Sequence, residues 1–148
     1  MSFQVAQKLA RNGFALLSGL AVGSAANMGL IMLNTVFFPL PPGVTLEDKE
    51  GFAAYIQDLP MTAYVLVFAA HYAQAVVGGY VAARLACCTT AARLVCFGVT
   101  ALTAIGAVMN LQTLPVPAWA WLELVAYPAL AYYTAKAAIT AMDKNKNV

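Results

Sequence analysis

The sequence predicts an all-α protein of the membrane class, one domain over residues 1–148 built as a transmembrane four-helix bundle. Composition is the first reason: 62% of residues are hydrophobic and 9% charged, against roughly 25% charged in soluble domains. The second is length, because four apolar runs each approach the ~20 residues that a helix needs to cross a bilayer. The third is the placement of charge. With four spans, Lys8, Arg11, Arg84, Arg93, Lys136, Lys144 and Lys146 fall on one side and only Lys49 on the other. The positive-inside rule then orients the chain N-in and C-in.

The first thirteen residues are basic and lack acids. The apolar run that follows, residues 14–38, is longer than the ~7–15 residues of a signal-peptide core. It is therefore read as span one, in a bacterial inner membrane or an organellar inner membrane. An organelle-targeting address in the first dozen residues is the alternative. Span one stops at Pro39, Pro41, Pro42 and Gly43, which cannot continue a helix.

A polar interruption, residues 38–60, holds four of the six acids: Glu47, Asp48, Glu50 and Asp58. Thr45 offers an N-cap with Asp48 three residues on. A helix over about 46–57 follows, with Leu46, Phe52, Ala53 and Ile56 on one stripe. It is too short to span, so it is expected to lie as an outer interfacial helix. Glu47, Asp48, Glu50, Phe52 and Ile56 would be its docking residues. Span two covers about 60–83 and closes on Arg84, span three about 93–114, and span four about 117–141. Trp119 and Trp121 fit the outer aromatic belt, and Tyr132 and Tyr133 the inner one.

Polar groups inside spans should face protein or water. At 1.5 Å per residue, Asn34, Asn110 and Glu123 come out about 7 to 9 Å below the outer helix ends, and Asn27, His71 and Gln74 about 16 to 21 Å down. Counted from Lys136 instead, Glu123 comes out deeper, close to His71. Helical spacing puts Gly19, Gly23, Asn27 and Asn34 on one stripe, and His71, Gln74 and Gly78 on another. Thr103, Gly106 and Asn110 share a face of span three, and Glu123, Tyr127 and Thr134 a face of span four. Gly19, Gly23 and Gly78 are the helix-packing residues, with Gly19-x-x-x-Gly23 a close-approach motif.

Glu123 is the most informative residue, because a carboxylate within a span must be paired, neutralised or wetted. Pro128 frees the carbonyl of Leu124 and is expected to kink the helix beside it. Glu123 is expected to bond Asn34 or Asn110, or to reach the outer headgroups. His71, the sole histidine, is expected to bond Asn27 or Gln74, with proton relay as the sharper alternative. One His beside one Glu is a poor metal site, and no catalytic motif is present. No enzyme activity, metal or cofactor is expected. Cys87, Cys88 and Cys96 contain no C-x-x-C pair and read as free thiols, with Cys87 and Cys88 placed for S-acylation.

Asn34-x-x-x-x-Pro39-x-Pro41 and Asn110-x-x-x-x-Pro115-x-Pro117 recur at an offset of 76. Duplication of a hairpin, or the ordinary use of proline at helix ends, would each produce this pattern. The block 37–85, with its proline-rich turn, acidic helix, Leu59-Pro60 entry and Gly78-Gly79-Tyr80-Val81-Ala82-Ala83-Arg84 exit, resembles small bacterial four-span membrane proteins of unassigned function. That resemblance implies a four-helix fold and no activity. Vitamin K epoxide reductases share the span count, but the missing C-x-x-C argues against them.

The function expected is structural or in assembly, as an accessory subunit of a larger membrane complex. The alternative is a proton-coupled transporter, or a lipid- or quinone-binding protein, acting as a homo-oligomer. Partners would be membrane lipids and other membrane subunits. The small net charge of +2, without a basic aromatic cluster, sets nucleic acid aside.

Overall fold

The computed structural model describes residues 2–45 and 47–144. Leu46, expected in the outer helix, and Lys146, counted among the inner cations, lie outside the described residues. In order the chain forms α1 (Phe3–Phe37), α2 (Lys49–Asp58), α3 (Met61–Leu85), α4 (Thr89–Thr113), a 3-10 helix (Ala118–Ala126) and α5 (Tyr127–Lys144), with no strand among the described residues. Three of these, α1, α3 and α4, are long and apolar enough to cross a membrane.

The boundaries differ from expectation for simple reasons. α1 starts at Phe3, well ahead of residue 14, because Gln, Ala, Lys, Leu and Arg are good helix formers and polarity does not end a helix. α2 is capped by Asp48, whose carboxylate accepts from the Gly51 N–H at 3.1 Å, not by Thr45. An Asp with a free carboxylate three residues before an open N–H competes well for that role. Gly43, at φ +86°, makes the turn that separates α1 from α2.

α3 is the central helix and packs against α1, α4 and α5. Its contact with α1 is backbone to backbone. A Cβ added at Gly19 would lie 2.5 Å from the Gly78 carbonyl oxygen, and one at Gly23 would lie 2.6 Å from the Gln74 carbonyl oxygen. The expected packing glycines, Gly19, Gly23 and Gly78, are thus all at the contact. On the other side, Ala82, Ala83, Ala92, Val95, Cys96, Val99, Ala135 and Ala138 form the core shared with α4 and α5. α1 remains peripheral: 11% of its most apolar stretch is buried, against 33% in α3 and α4.

Both ends of the bundle are tied. At one, Arg11 Nε donates to the Leu85 carbonyl and the Cys87 N–H donates to Asn12 Oδ1, each at 3.0 Å. This brings the basic start of α1 to the α3–α4 turn. At the other, Tyr64 donates to the Ile56 carbonyl and Tyr55 to the Phe38 carbonyl, each at 2.6 Å. Ile56 is therefore buried as an internal anchor of α2 and is not free to dock a partner, and Phe52 is half-buried against Tyr55. Glu47, Asp48 and Glu50 stay exposed.

The 76-residue echo corresponds to a shared helix stop. Phe38 N–H donates to the Asn34 carbonyl and Leu114 N–H to the Asn110 carbonyl, each just before a proline. Their side chains part company, since Asn34 is buried and Asn110 exposed.

Substituting Gly23 or Gly78 by Leu is expected to destabilise the bundle by about 3 kcal/mol or more, since backbone on the far side cannot yield. Gly106→Leu, where an added Cβ meets nothing within 4 Å, is expected to be neutral or to gain up to about 1 kcal/mol of helix propensity. Thermal unfolding in detergent compares the two; equal losses would contradict the close approach.

Candidate functional site

Pro128, the second residue of α5, cannot donate to a carbonyl one turn back. Upstream of it, residues Ala118–Ala126 wind as a nine-residue 3-10 helix, where runs beyond 3–4 residues are uncommon. Side chains three apart then share a face. Ala120 and Glu123 point inward and Leu122 and Val125 outward. Glu123 reaches the interior because of this local winding, and its residue exposure is 2%.

Inside, its carboxylate is met from two helices. His71 Nδ1 of α3 lies 2.7 Å from Glu123 Oε1, and the Tyr127 hydroxyl donates to the same oxygen at 2.7 Å. Tyr72 donates to the Glu123 backbone carbonyl at 3.0 Å, satisfying an acceptor beside the 3-10 to α transition. The imidazole Nδ1 and the acid are thus within hydrogen-bonding distance of each other. Glu123 and His71 bond each other, and not Asn34, Asn110, Asn27 or Gln74 as expected.

An aromatic seam closes the site. Tyr64, Phe68 and Tyr72 recur every four residues on α3. Trp119 meets Tyr64 and Phe68 edge-on at 5.5 and 5.8 Å, and Tyr72 meets Tyr127 at 5.7 Å. Such pairs favour T-shaped contact by their ring quadrupoles. Trp119 belongs to the seam, whereas Trp121 is exposed. The i, i+4 spacing of Tyr64, Phe68 and Tyr72 is the sequence signal for the seam.

The other candidates lie apart from this pair. Gln74 contributes to the α1–α3 contact through its backbone and Cγ beside Gly23. Asn27 is half-buried on α1. Asn34 is buried, and its Oδ1 has no partner among the described residues. Gly106 and Asn110 sit on the outer face of α4, away from the interior. Thr100 and Thr103 satisfy themselves by donating to the Cys96 and Val99 carbonyls at 3.0 Å. No cluster of three or more His, Cys, Asp or Glu occurs among the described residues.

Chemically, the arrangement can share or store one proton between an acid and an imidazole, with a phenol as second donor. It offers no activated nucleophile. Removing one partner of a buried pair strands the other, at about 3–5 kcal/mol. Glu123→Ala is expected to lose that much stability in a detergent unfolding assay. Glu123→Gln, which keeps an acceptor oxygen for His71 and Tyr127, should lose under half as much. Tyr127→Phe should cost about 1–3 kcal/mol, as removing the donor from a buried acceptor does.

Comparison of the chain with protein-family models, with curated proteins and with solved structures finds no match.

Proposed function

We propose that the chain is a multi-pass integral membrane protein with four crossings and a structural role, as an accessory subunit of a larger complex in a bacterial or organellar inner membrane. The fourth crossing would be the 3-10 helix and α5 together. Nine residues at ~2.0 Å and eighteen at ~1.5 Å give about 45 Å of helix, ample for a hydrocarbon core of ~30 Å. The resemblance of block 37–85 to small four-span bacterial proteins is in keeping with that count.

The observation that carries the structural reading is the closure of the acid–histidine pair. A carrier needs its acid open to water from at least one side, whereas the Glu123 side chain is 1% exposed and His71 12%. The grooves at the α4–α5 seam and beside α5 are lined without either residue. A polar pair bonded to each other across two helices, with the acid buried, acts as interhelical glue. The apolar flank of α1, with Phe14, Leu17, Met28 and Met32 exposed, leaves room for a neighbouring subunit.

A homo-oligomeric proton-coupled carrier is the second reading. It is favoured by the long 3-10 stretch around Glu123, because such a segment is a candidate hinge. Gentle-detergent extraction followed by sizing separates the two. Stable, stoichiometric migration with a larger complex, unchanged by Glu123→Gln, is expected. A free small oligomer whose proton flux disappears in Glu123→Gln would replace the structural reading with the second.

Orientation is testable through the α3–α4 turn. Cys88 is exposed and Cys96 buried. The Cys88 thiol is held below its usual range, first by a hydrogen bond from the Ala91 backbone N–H, then by the Cys87 thiol. A larger thiolate fraction near pH 7 makes it the fast-reacting cysteine. A membrane-impermeant maleimide is expected to label Cys88 in inverted vesicles and not in intact cells; labelling of intact cells would reverse the N-in, C-in assignment.

A further inference from the structure

α4 and α5 diverge on their outer side and leave a groove of about 580 Å³. Its floor is made of small residues, Ala131 and Ala135, which are buried, and its walls of Leu94, Phe97, Tyr132 and Pro128, which are exposed. Arg93 and Lys136 also line it. The two helices run antiparallel, so Arg93, four residues into α4, lies near the same end of the bundle as Lys136, eight residues before the end of α5. At 1.5 Å per residue these Cα positions are about 6 and 12 Å inside the helix ends. Both stems are long enough to carry the charges to the interface. Neither cation is paired with a carboxylate among the described residues.

We propose that this groove is a binding site for an anionic phospholipid, with its phosphate between Arg93 and Lys136 and an acyl chain along Leu94, Phe97 and Pro128. The inference rests on the membrane placement proposed above and not on the accessory role. Charge and polarity select the occupant. Two cations, Arg93 and Lys136, beside the apolar side chains Leu94, Phe97, Pro128 and Ile139 match a molecule with a negative head and a hydrocarbon tail. A second copy fits poorly, because a two-fold contact through this face would bring like cations together. Tyr132, 62% exposed, borders the groove one turn further in than Lys136.

The test is native mass spectrometry of the full chain, stripped of lipid in detergent and offered equal dioleoylphosphatidylglycerol and dioleoylphosphatidylcholine. Preferential retention of phosphatidylglycerol is expected. At about one surface cation's worth of attraction each, the double variant Arg93→Gln/Lys136→Gln should lower that preference roughly thirty-fold. Lys8→Gln/Arg11→Gln removes the same charge from the same end and should change it less than about threefold. Equal losses in the two double variants would mean diffuse attraction and would overturn the site, as would no preference in the unsubstituted chain. Displacement of the lipid by tens of millimolar inorganic phosphate would overturn a lipid site in favour of a soluble anion. Carbonate extraction of the chain from native membranes is scored separately: release there defeats the membrane placement itself, whereas retention with no lipid preference defeats only the groove.

Discussion

A carboxylate among apolar helices must find its partners within the protein, and the bundle is built to supply them to Glu123. The acid is carried inward by a 3-10 stretch that ends two residues before Pro128. It is met at 2.7 Å by His71 from α3 and by Tyr127 from the start of α5. Separated from that oxygen, the histidine and the phenol would each be left without a partner in a region sealed by aromatic rings. The pair therefore fixes the rotation of α3 and of the 3-10 helix relative to one another, as well as their distance.

α3 performs two tasks on two faces. The face bearing His71, Tyr64, Phe68 and Tyr72 is directional, because hydrogen bonds and edge-on ring contacts tolerate little sliding. The face bearing Gly78 is steric: removal of side chains lets α1 approach until backbone meets backbone. The two hairpins consequently pack differently despite ending on a similar asparagine–proline pattern. α1 and α3 touch through glycine, whereas α4 and α5 leave a groove between larger side chains. What the two hairpins share is a helix stop one residue ahead of a proline, at Phe38 and Leu114.

Burial of the acid also shapes the functional reading. The same two residues in a wet cleft would make a proton path; here Glu123 is buried and bonded to His71 and Tyr127. The surface features are at the bundle's margins: the exposed acids of α2, the bare flank of α1, and the cation-headed groove of α4 and α5. These are places where lipid or a neighbouring subunit would be met, and none of them requires the interior to open.

Much of this was legible in the chain because it depends on local order in sequence. Apolar run lengths, the proline stops and the Gly19, Gly23 and Gly78 stripes all report on properties that a helix expresses by itself, and they placed the long helices and the α1 contact. The partnership of Glu123 and His71 was not legible. Counting depth at 1.5 Å per residue from Pro117 leaves the acid too shallow, because the intervening residues rise at about 2.0 Å; only the count from Lys136 brought it toward His71. Ile56, Gly106 and Asn110 were misjudged for a related reason, since periodicity states which residues share a face and not which way that face turns. The sequence by itself determined that this chain is helical, apolar and punctuated where it is, because propensity, hydropathy and proline act within a few residues. Only the tertiary structure decided which polar group answers which, because that choice depends on helix rotation and rise, set jointly by every helix that α3 touches.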